Sequence, residues 1–338
     1  STIYAESVLA PKYRTKVDKE TIGGPAYYID QGIGSKGLAA FFAICIIVAL
    51  GFIGNMVQAN SIGFAFSVAF DSKPWMVGIV IALLVGLVIQ GGITRIASFT
   101  EKIVPIMAVI YIFGCVYIIV MRYEYVLPAF KSIFESAFRV ESVAGGTVGI
   151  TIREAMRYGV ARGLFSNEAG IGSTPHAHAA AKVSDPGKQG EVAIFSVFFD
   201  TFVILTLTAL VILTSSFYLE MIKLPMQNWT NSIALTQAAF MSSFGEGGKY
   251  FIAIILLFFA FSTIISWYYF AAINVKYLFG NKAITLFRVI VVLCVFFGTL
   301  VKVDLIWELA DTFNGLMCIP NLIALLVLSG VVVATTKK

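Results

Sequence analysis

Apolar runs long enough to cross a lipid bilayer recur along this chain and constrain its fold more than any other feature. A helix needs about 20 apolar residues to span the hydrocarbon core. Such runs predict membrane-spanning helices near residues 38–70, 75–95, 102–121, 190–216, 249–279, 284–301 and 304–333. With 59% hydrophobic and 13% charged residues, the chain is too apolar for a soluble domain, where about 25% of residues are charged. We therefore predict an all-α polytopic membrane protein with a single transmembrane domain over residues 1–338.

The first eleven residues, STIYAESVLAP, have the composition of the end of a further helix. The chain begins with Ser1 rather than with a methionine. The expectation is an N-terminally truncated fragment with about eight spans plus the tail of another helix.

Basic residues predict which ends of the spans face the cytoplasm. If residues 147–181 form one crossing, the segments that carry most short-loop lysines and arginines fall on one side, and such loops are cytoplasmic. These segments are 12–37, 95–102, 182–189, 276–283 and the C-terminus. The expected location is therefore the cell membrane, with several crossings of the lipid bilayer. The net charge of +5 is scattered and forms no basic stripe with interleaved aromatics, so no nucleic-acid partner is expected.

The stretch RGLFSNEAGIGSTPHAHAAA, residues 162–181, has the wrong composition for a plain span. A continuous helix would place Gly163, Gly170, Gly172 and Pro175 in its interior, at a cost of about 1 kcal/mol per glycine and about 3 for the proline. We therefore predict a broken helix over residues 163–175. Broken backbone at membrane depth requires protein or a wet cavity around it, and in many transporters it forms the binding site.

An ionisable residue at membrane depth, Glu168, supports a functional role for this break. Phe165, Ser166, Asn167 and Gly170 are therefore candidate substrate contacts. The alternative is a polar loop that only joins two spans.

Polar residues inside two other predicted spans leave two interpretations open. Asn55 and Gln58 share one helix face, where amides either hold helices together or line a cavity. Ser262 and Thr263 offer hard oxygen ligands for sodium, and Trp267 lies one turn further on to wall a pocket. The alternative for the two hydroxyls is hydrogen bonding to carbonyls of the preceding turn.

Three acidic residues at the start of the last predicted span lie on one helix stripe: Asp304, Glu308 and Asp311. They suit either an outer gate paired with a basic residue or a solvated helix N-terminus.

Enzyme and pump motifs such as GxxxxGK[ST], GxSxG and HExxH do not occur in the sequence. His176 and His178 are two residues apart and point to different helix faces without a nearby third ligand, so no resident metal is expected. The sequence therefore predicts a protein that is not an enzyme.

Four stretches together resemble the alanine/glycine:cation symporter family, also called the sodium:alanine symporters. They are GGPAYYI (23–29), GNMVQANS (54–61), RGLFSNEAGIGS (162–173) and ADTFNGLMCIPNLIAL (310–325). The resemblance runs the length of the chain. It implies a LeuT-type core of ten helices in two inverted repeats, of which this chain lacks the first helix and most of the second.

On that scheme the break at 163–175 falls on the sixth helix and residues 249–279 on the eighth. The eighth helix of such a core supplies hydroxyls to sodium, so the resemblance implies Ser262 and Thr263 as sodium ligands. It also implies Trp267 and Gln58 as substrate-pocket residues.

The function expected from this resemblance is sodium-coupled symport of a small neutral amino acid, alanine or glycine. Sodium is then a co-transported ion and the lipid bilayer is the environment. The alternatives are a transporter coupled to protons or another cation, and a channel.

Overall fold

The fold is known from a computed structural model that describes residues 1–17, 20–138, 147–221 and 232–336. Nearly all of these residues are helical, which confirms the predicted all-α class. The strands in the described ranges form one hairpin, in which β1 (Thr15–Val17) pairs antiparallel with β2 (Glu20–Ile22).

Sixteen α-helices lie in the described part of the chain. In chain order they are α1 (Thr2–Lys12), α2 (Pro25–Tyr28), α3 (Lys36–Ile46), α4 (Asn55–Phe70), α5 (Pro74–Ile89), α6 (Gly92–Met121), α7 (Val126–Phe138), α8 (Thr147–Asn167), α9 (Pro175–Ala180), α10 (Pro186–Phe198), α11 (Thr206–Met221), α12 (Ser232–Phe244), α13 (Gly247–Phe279), α14 (Ala283–Gly298), α15 (Val303–Val327) and α16 (Ser329–Thr336).

Wider π-helical turns join several of these helices. Ile47–Gly54 connects α3 to α4, and Phe199–Leu205 connects α10 to α11, so each pair forms one long continuous helix. A third π-helical segment, Ile29–Ile33, follows α2. Such segments are rare and frequently occur at functional sites.

Five helices in the described ranges are long and apolar enough to span a membrane. They are Lys36–Phe70, Gly92–Met121, Pro186–Leu219, Gly247–Phe279 and Leu305–Val327. Pro74–Ile89, Ile233–Phe244 and Ala283–Gly298 are shorter and apolar. Backbone N–H and C=O groups inside a bilayer must form hydrogen bonds within the protein, and an α-helix satisfies them. A succession of long apolar helices therefore fits a multi-pass membrane protein.

The loop predicted at 95–102 is wrong, because α6 begins at Gly92 and includes those residues. Arg95, Glu101 and Lys102 are exposed on the helix surface, where charged residues that favour helix formation are compatible with a regular helix. The preceding span is correspondingly shorter, since α5 ends at Ile89 rather than near 95.

Three further boundaries differ from the prediction. The segment 182–189 is partly helical, because α10 begins at Pro186 after Asp185 caps it by accepting from the Gly187 N–H (2.9 Å). At 276–283, α13 continues to Phe279. The last predicted span is divided at Leu328 into α15 and α16.

The long helix α13 forms the centre of the bundle and packs against α4, the π-helical segment 47–54 and α6. Trp267 of α13 lies against Gly54, where an added Cβ would come within 2.6 Å of the indole ring. A glycine is therefore required at residue 54 for this close approach. The packing brings the middle of α13 beside the segment between α8 and α9.

Candidate functional site

The helix break lies between α8 and α9 and is shorter than predicted. α8 continues through Gly163 to Asn167, so the prediction that the break starts at 163 is wrong. Glu168, Gly170 and Gly172 have φ of 55°, 93° and 88°, the left-handed region that glycine tolerates best. Pro175 then occupies the first turn of α9, where its missing N–H costs nothing.

The carboxylate of Glu168 connects the break to α13. Trp267 Nε1 donates to Glu168 Oε1 at 2.7 Å, and the Ser173 hydroxyl donates to Oε2. An ionised carboxylate accepts strong hydrogen bonds, so these contacts hold its two oxygens in fixed directions. Glu168 carries the left-handed conformation as a non-glycine residue, which indicates that its surroundings determine its backbone.

The backbone of the break is satisfied by side chains from distant parts of the chain. The Gly170 N–H donates to Glu6 Oε2 (3.0 Å), and Asn321 Nδ2 donates to the Gly170 carbonyl (2.9 Å) and to Glu6 Oε1 (2.6 Å). The Tyr28 hydroxyl donates to Asn321 Oδ1. Protein groups therefore provide the hydrogen bonds that an unwound segment at membrane depth needs.

His176, in the first turn of α9, is fully buried in the core. Its Nδ1 is 2.7 Å from the Ser173 carbonyl and its Nε2 is 2.8 Å from Asn274 Nδ2. The ring stacks between Phe42 and Phe270. Both nitrogens are thus engaged, and the residue fixes the second half of the broken helix against α3 and α13.

A cavity of about 390 Å³ lies beside the break, between α8, α10, α13 and the neighbouring helices. Ten of the described lining residues carry side-chain oxygen atoms: Thr100, Ser166, Asn167, Glu168, Thr174, Ser196, Asp200, Ser262, Thr263 and Ser266. The others are Ile3, Val104, His178, Ala193, Val197, Trp267 and Phe270. Two of the lining side chains are carboxylates, and neither a lysine nor an arginine lines the cavity within the described ranges. Carboxylates without a basic partner favour a cationic group in the cavity.

Asp200 supplies the second carboxylate from the π-helical segment 199–205. Its Oδ2 accepts from the Ser166 hydroxyl at 2.8 Å, and the neighbouring Thr201 hydroxyl donates to Asn167 Oδ1 at 2.6 Å. These two bonds attach the end of α8 to the next long helix. Sequence reasoning missed Asp200, although a lone acid in the apolar run FFDTFVIL carries the same signal as Glu168.

Five of the predicted site residues line the cavity: Ser166, Asn167, Ser262, Thr263 and Trp267. The hydroxyls of Ser262 and Thr263 both donate to the Phe259 carbonyl, at 2.8 and 3.0 Å. This is the back-bonded geometry of the alternative interpretation. It directs each proton into the helix and leaves the oxygen lone pairs available for a cation.

Three predicted site residues do not line the cavity. Phe165 packs edge-on against Trp267, with ring centroids 5.4 Å apart, and so supports the cavity wall from behind. Gly170 bonds to Glu6 and Asn321. Gln58 is half-buried on α4, outside the set of lining residues.

An ion pair joins α8 to the last long helix. Arg162 Nη1 and Nη2 donate to Asp311 Oδ1 and Oδ2, both at 3.0 Å, and the guanidinium lies 4.0 Å from the Trp307 ring centroid. Phe165 also packs against Trp307, with ring centroids 4.9 Å apart. Asp311 therefore has the basic partner that a gate requires, and the pair lies next to the wall of the cavity.

Comparison with known proteins identifies the family. The model of the sodium:alanine symporter family matches residues 1–338. The chain belongs to this family. It is 42% identical to the sodium/alanine symporter AgcS of Methanococcus maripaludis, over 100% of this chain and 74% of that protein. It is 39% identical to the probable sodium/glutamine symporter GlnT of Bacillus subtilis, over 99% of this chain and 68% of that protein.

Another relative from Bacillus subtilis is named a putative sodium/proton-dependent alanine carrier protein, YrbD. It is 39% identical over 97% of this chain and 69% of its own length. Membership confirms the resemblance carried by the sequence motifs. The sodium:alanine symporter family consists of amino-acid transporters of the membrane rather than enzymes, so the chain is a transport protein.

Proposed function

We propose that the protein carries alanine or glycine across the cell membrane together with sodium. The observation that carries this proposal is the cavity beside the helix break, whose described lining residues include two carboxylates and several hydroxyls but neither lysine nor arginine. A zwitterionic amino acid brings an ammonium group that such a cavity favours, and sodium brings a second positive charge. Family membership supports the same pairing.

The amino acid lies between the end of α8 and α13 in this proposal. Glu168 meets the ammonium group, while Ser166 and Asn167 hydrogen-bond the polar end of the substrate. Trp267 contacts the side chain of the bound amino acid, and Phe165 packs edge-on against Trp267 and supports its position. The preference for a short side chain rests on membership of the sodium:alanine symporter family.

Sodium is bound by the hydroxyl oxygens of Ser262 and Thr263. Their protons point to the Phe259 carbonyl, so their lone pairs are free to face a cation. Hydroxyls and carboxylates are hard ligands that suit such an ion. Gly170 contributes through the fold of the break, where it bonds to Glu6 and Asn321.

A proton is the second candidate for the coupling ion. Glu168 and Asp200 both line the cavity, and either carboxylate can take up a proton when the cavity is empty. The name of the relative YrbD includes both ions.

We propose that the segments rich in basic residues face the cytoplasm, as the sequence predicts. We also propose that the helices form a LeuT-type core. Several of the segments concerned meet at one end of the bundle. Lys12 Nζ donates to Thr335 Oγ1 (2.8 Å), and Arg14 Nη1 donates to the Ala181 carbonyl (2.8 Å). Lys276 forms an ion pair with Glu20. The hairpin, the end of α9, the end of α13 and the C-terminal helix therefore share one face, which we assign to the cytoplasm.

The test uses full-length protein reconstituted in liposomes with labelled alanine outside. An inward sodium gradient is expected to drive accumulation above the external concentration, and dissipation of that gradient is expected to abolish it. Equal accumulation with and without the sodium gradient would contradict sodium coupling. If an inward proton gradient drives accumulation while the sodium concentration is equal on both sides, the proton rather than sodium is the coupling ion.

A further inference from the structure

A second cavity of about 390 Å³ lies where α6 ends and shares none of its lining with the cavity beside the break. Arg122, immediately after α6, is one of the side chains that line it. Tyr125 and Tyr218 contribute aromatic walls, and Ser242 and Ser243 contribute hydroxyls from the end of α12. The proposed transport function uses none of these residues.

Arg122 is buried, with 6% of its surface exposed, yet its charge is incompletely paired. Nη2 donates to Ser242 Oγ at 2.8 Å, and the guanidinium lies 4.5 Å from the centroid of the Tyr218 ring. Nη1 is buried without a hydrogen-bond partner. None of the ion pairs among the residues that the structure describes involves Arg122. A buried charge left in this state is expensive, so an anion in the cavity would relieve a substantial penalty.

A second donor belongs to a residue that lines the same cavity. The hydroxyl of Ser243 is buried and also has no hydrogen-bond partner. Buried polar atoms are rarely left without one, and here two unpartnered donors line one cavity. Glu124 lines the cavity too, but it is exposed, so water screens its negative charge. The lining therefore provides donors for an oxyanion.

The position of the cavity indicates where this oxyanion comes from. α6 is a 30-residue apolar span, and its last residue, Met121, borders the cavity. Beyond it, α7 exposes Leu127, Phe130, Ile133 and Phe134. A helix with exposed apolar residues beside the end of a span is typical of the membrane interface, the level at which lipid phosphates lie.

We propose that this cavity binds a phosphate oxyanion, and that the phosphate is that of a phospholipid head group. Arg122 meets it through Nη1, since guanidinium groups match the oxygens of a phosphate. Ser243 donates a further hydrogen bond, and the acyl chains lie along the apolar residues of α7. A free phosphate ion offers the same oxygens without the chains.

The test measures the melting temperature of purified, delipidated full-length protein in detergent. Three probes are added separately: phosphatidylglycerol, diacylglycerol with the same acyl chains, and inorganic phosphate. Phosphatidylglycerol is expected to raise the melting temperature, and the other two are expected to leave it nearly unchanged. Arg122→Gln is expected to lose this increase. Ser243→Ala is expected to need roughly tenfold more lipid for the half-maximal increase, because it loses one hydrogen bond to a charged group.

Arg95→Gln is the control for unspecific attraction to anionic lipid, because Arg95 is an exposed arginine at the other end of α6, where it donates to the Leu87 carbonyl (2.8 Å). It is expected to keep the increase. Ser243→Ala removes a hydroxyl without a partner, so it decides the outcome even if Arg122→Gln does not fold. An Arg122-dependent increase of equal size with inorganic phosphate would overturn the lipid source. Equal increases in the wild-type protein, Arg122→Gln and Ser243→Ala would overturn the site itself.

Discussion

Trp267 Nε1 and Glu168 Oε1 are 2.7 Å apart, and this hydrogen bond joins α13 to the left-handed residue that directly follows α8. The bond connects the apolar wall of the cavity to one of its carboxylates. Any movement of the break must therefore either carry the indole along or break this bond. If the amino acid binds where we propose, we expect these two side chains to couple its binding to the conformation of the break.

Glu168→Gln is expected to lower the apparent affinity for alanine about tenfold or more, at every sodium concentration. The amide keeps the size of the side chain but removes the negative charge that meets the ammonium group, a contact worth about 1.5–3 kcal/mol. Equilibrium binding of labelled alanine measures this. Glu246→Gln is the control, because Glu246 is exposed and pairs with Lys249 away from the cavity. Similar affinities in the two variants would remove Glu168 from the site.

Thr263→Ala is expected to weaken sodium binding by about 1.5–3 kcal/mol through loss of one oxygen ligand. Alanine affinity should fall at fixed sodium and should recover when sodium is saturating, because the two ligands are linked. Titration of alanine affinity against sodium measures both effects. Thr312→Ala is the matched control, since Thr312 has the same back-bond, to the Glu308 carbonyl at 2.8 Å, outside the cavity. An unchanged sodium dependence in Thr263→Ala would refute the ligand assignment.

Gly54→Ala is expected to reduce alanine affinity without touching the substrate. The new methyl group would lie 2.6 Å from the indole of Trp267 and must displace it, which strains a packed core by about 1–3 kcal/mol. The displaced indole loses its bond to Glu168. Thermal unfolding and alanine binding report the two effects, and Gly37→Ala is the control because its methyl group meets open space. If Gly54→Ala and Gly37→Ala have the same unfolding temperature and the same alanine affinity, the tight packing of Trp267 against Gly54 is needed neither for stability nor for alanine binding.

The sequence predicted the spans and the break because both depend on local composition. The glycines and the proline of residues 163–175 indicate an interruption wherever they occur in an apolar series. The exact extent was less predictable, since Gly163 is tolerated inside α8 at a modest cost. At Arg95 the sequence predicts a loop where the structure has a helix. A charged residue on a helix surface looks the same in sequence as a charged residue in a loop.

The partners of the break could not be predicted from the sequence. Glu6 and Asn321 are 315 residues apart and meet only because α1 and α15 pack around the same segment. Asp200 bonds to Ser166, 34 residues away in sequence, and lies in the π-helical segment 199–205. No periodic sequence pattern predicts such a segment. Trp267 was assigned to the pocket through the family resemblance, and its bond to Glu168 spans 99 residues. Contacts of this kind require the tertiary structure.

The most direct test of the proposed site is protection of a cysteine in the cavity from a thiol reagent. Ser266 lines the cavity next to Trp267 and is half-buried, so Ser266→Cys places a reactive group beside the proposed substrate. Ser216→Cys on α11, half-buried outside the cavity lining, is the control, and the unmodified protein reports labelling of the four native cysteines. The labelling rate is measured with and without alanine, in sodium and in a sodium-free buffer.

Alanine with sodium is expected to slow labelling of Ser266→Cys several-fold, while alanine without sodium has little effect and Ser216→Cys is unaffected throughout. Adding Glu168→Gln to Ser266→Cys is expected to abolish the protection at the same alanine concentration. If saturating alanine and sodium leave the labelling rate of Ser266→Cys unchanged while the protein still binds alanine, the amino acid binds elsewhere and the central claim fails.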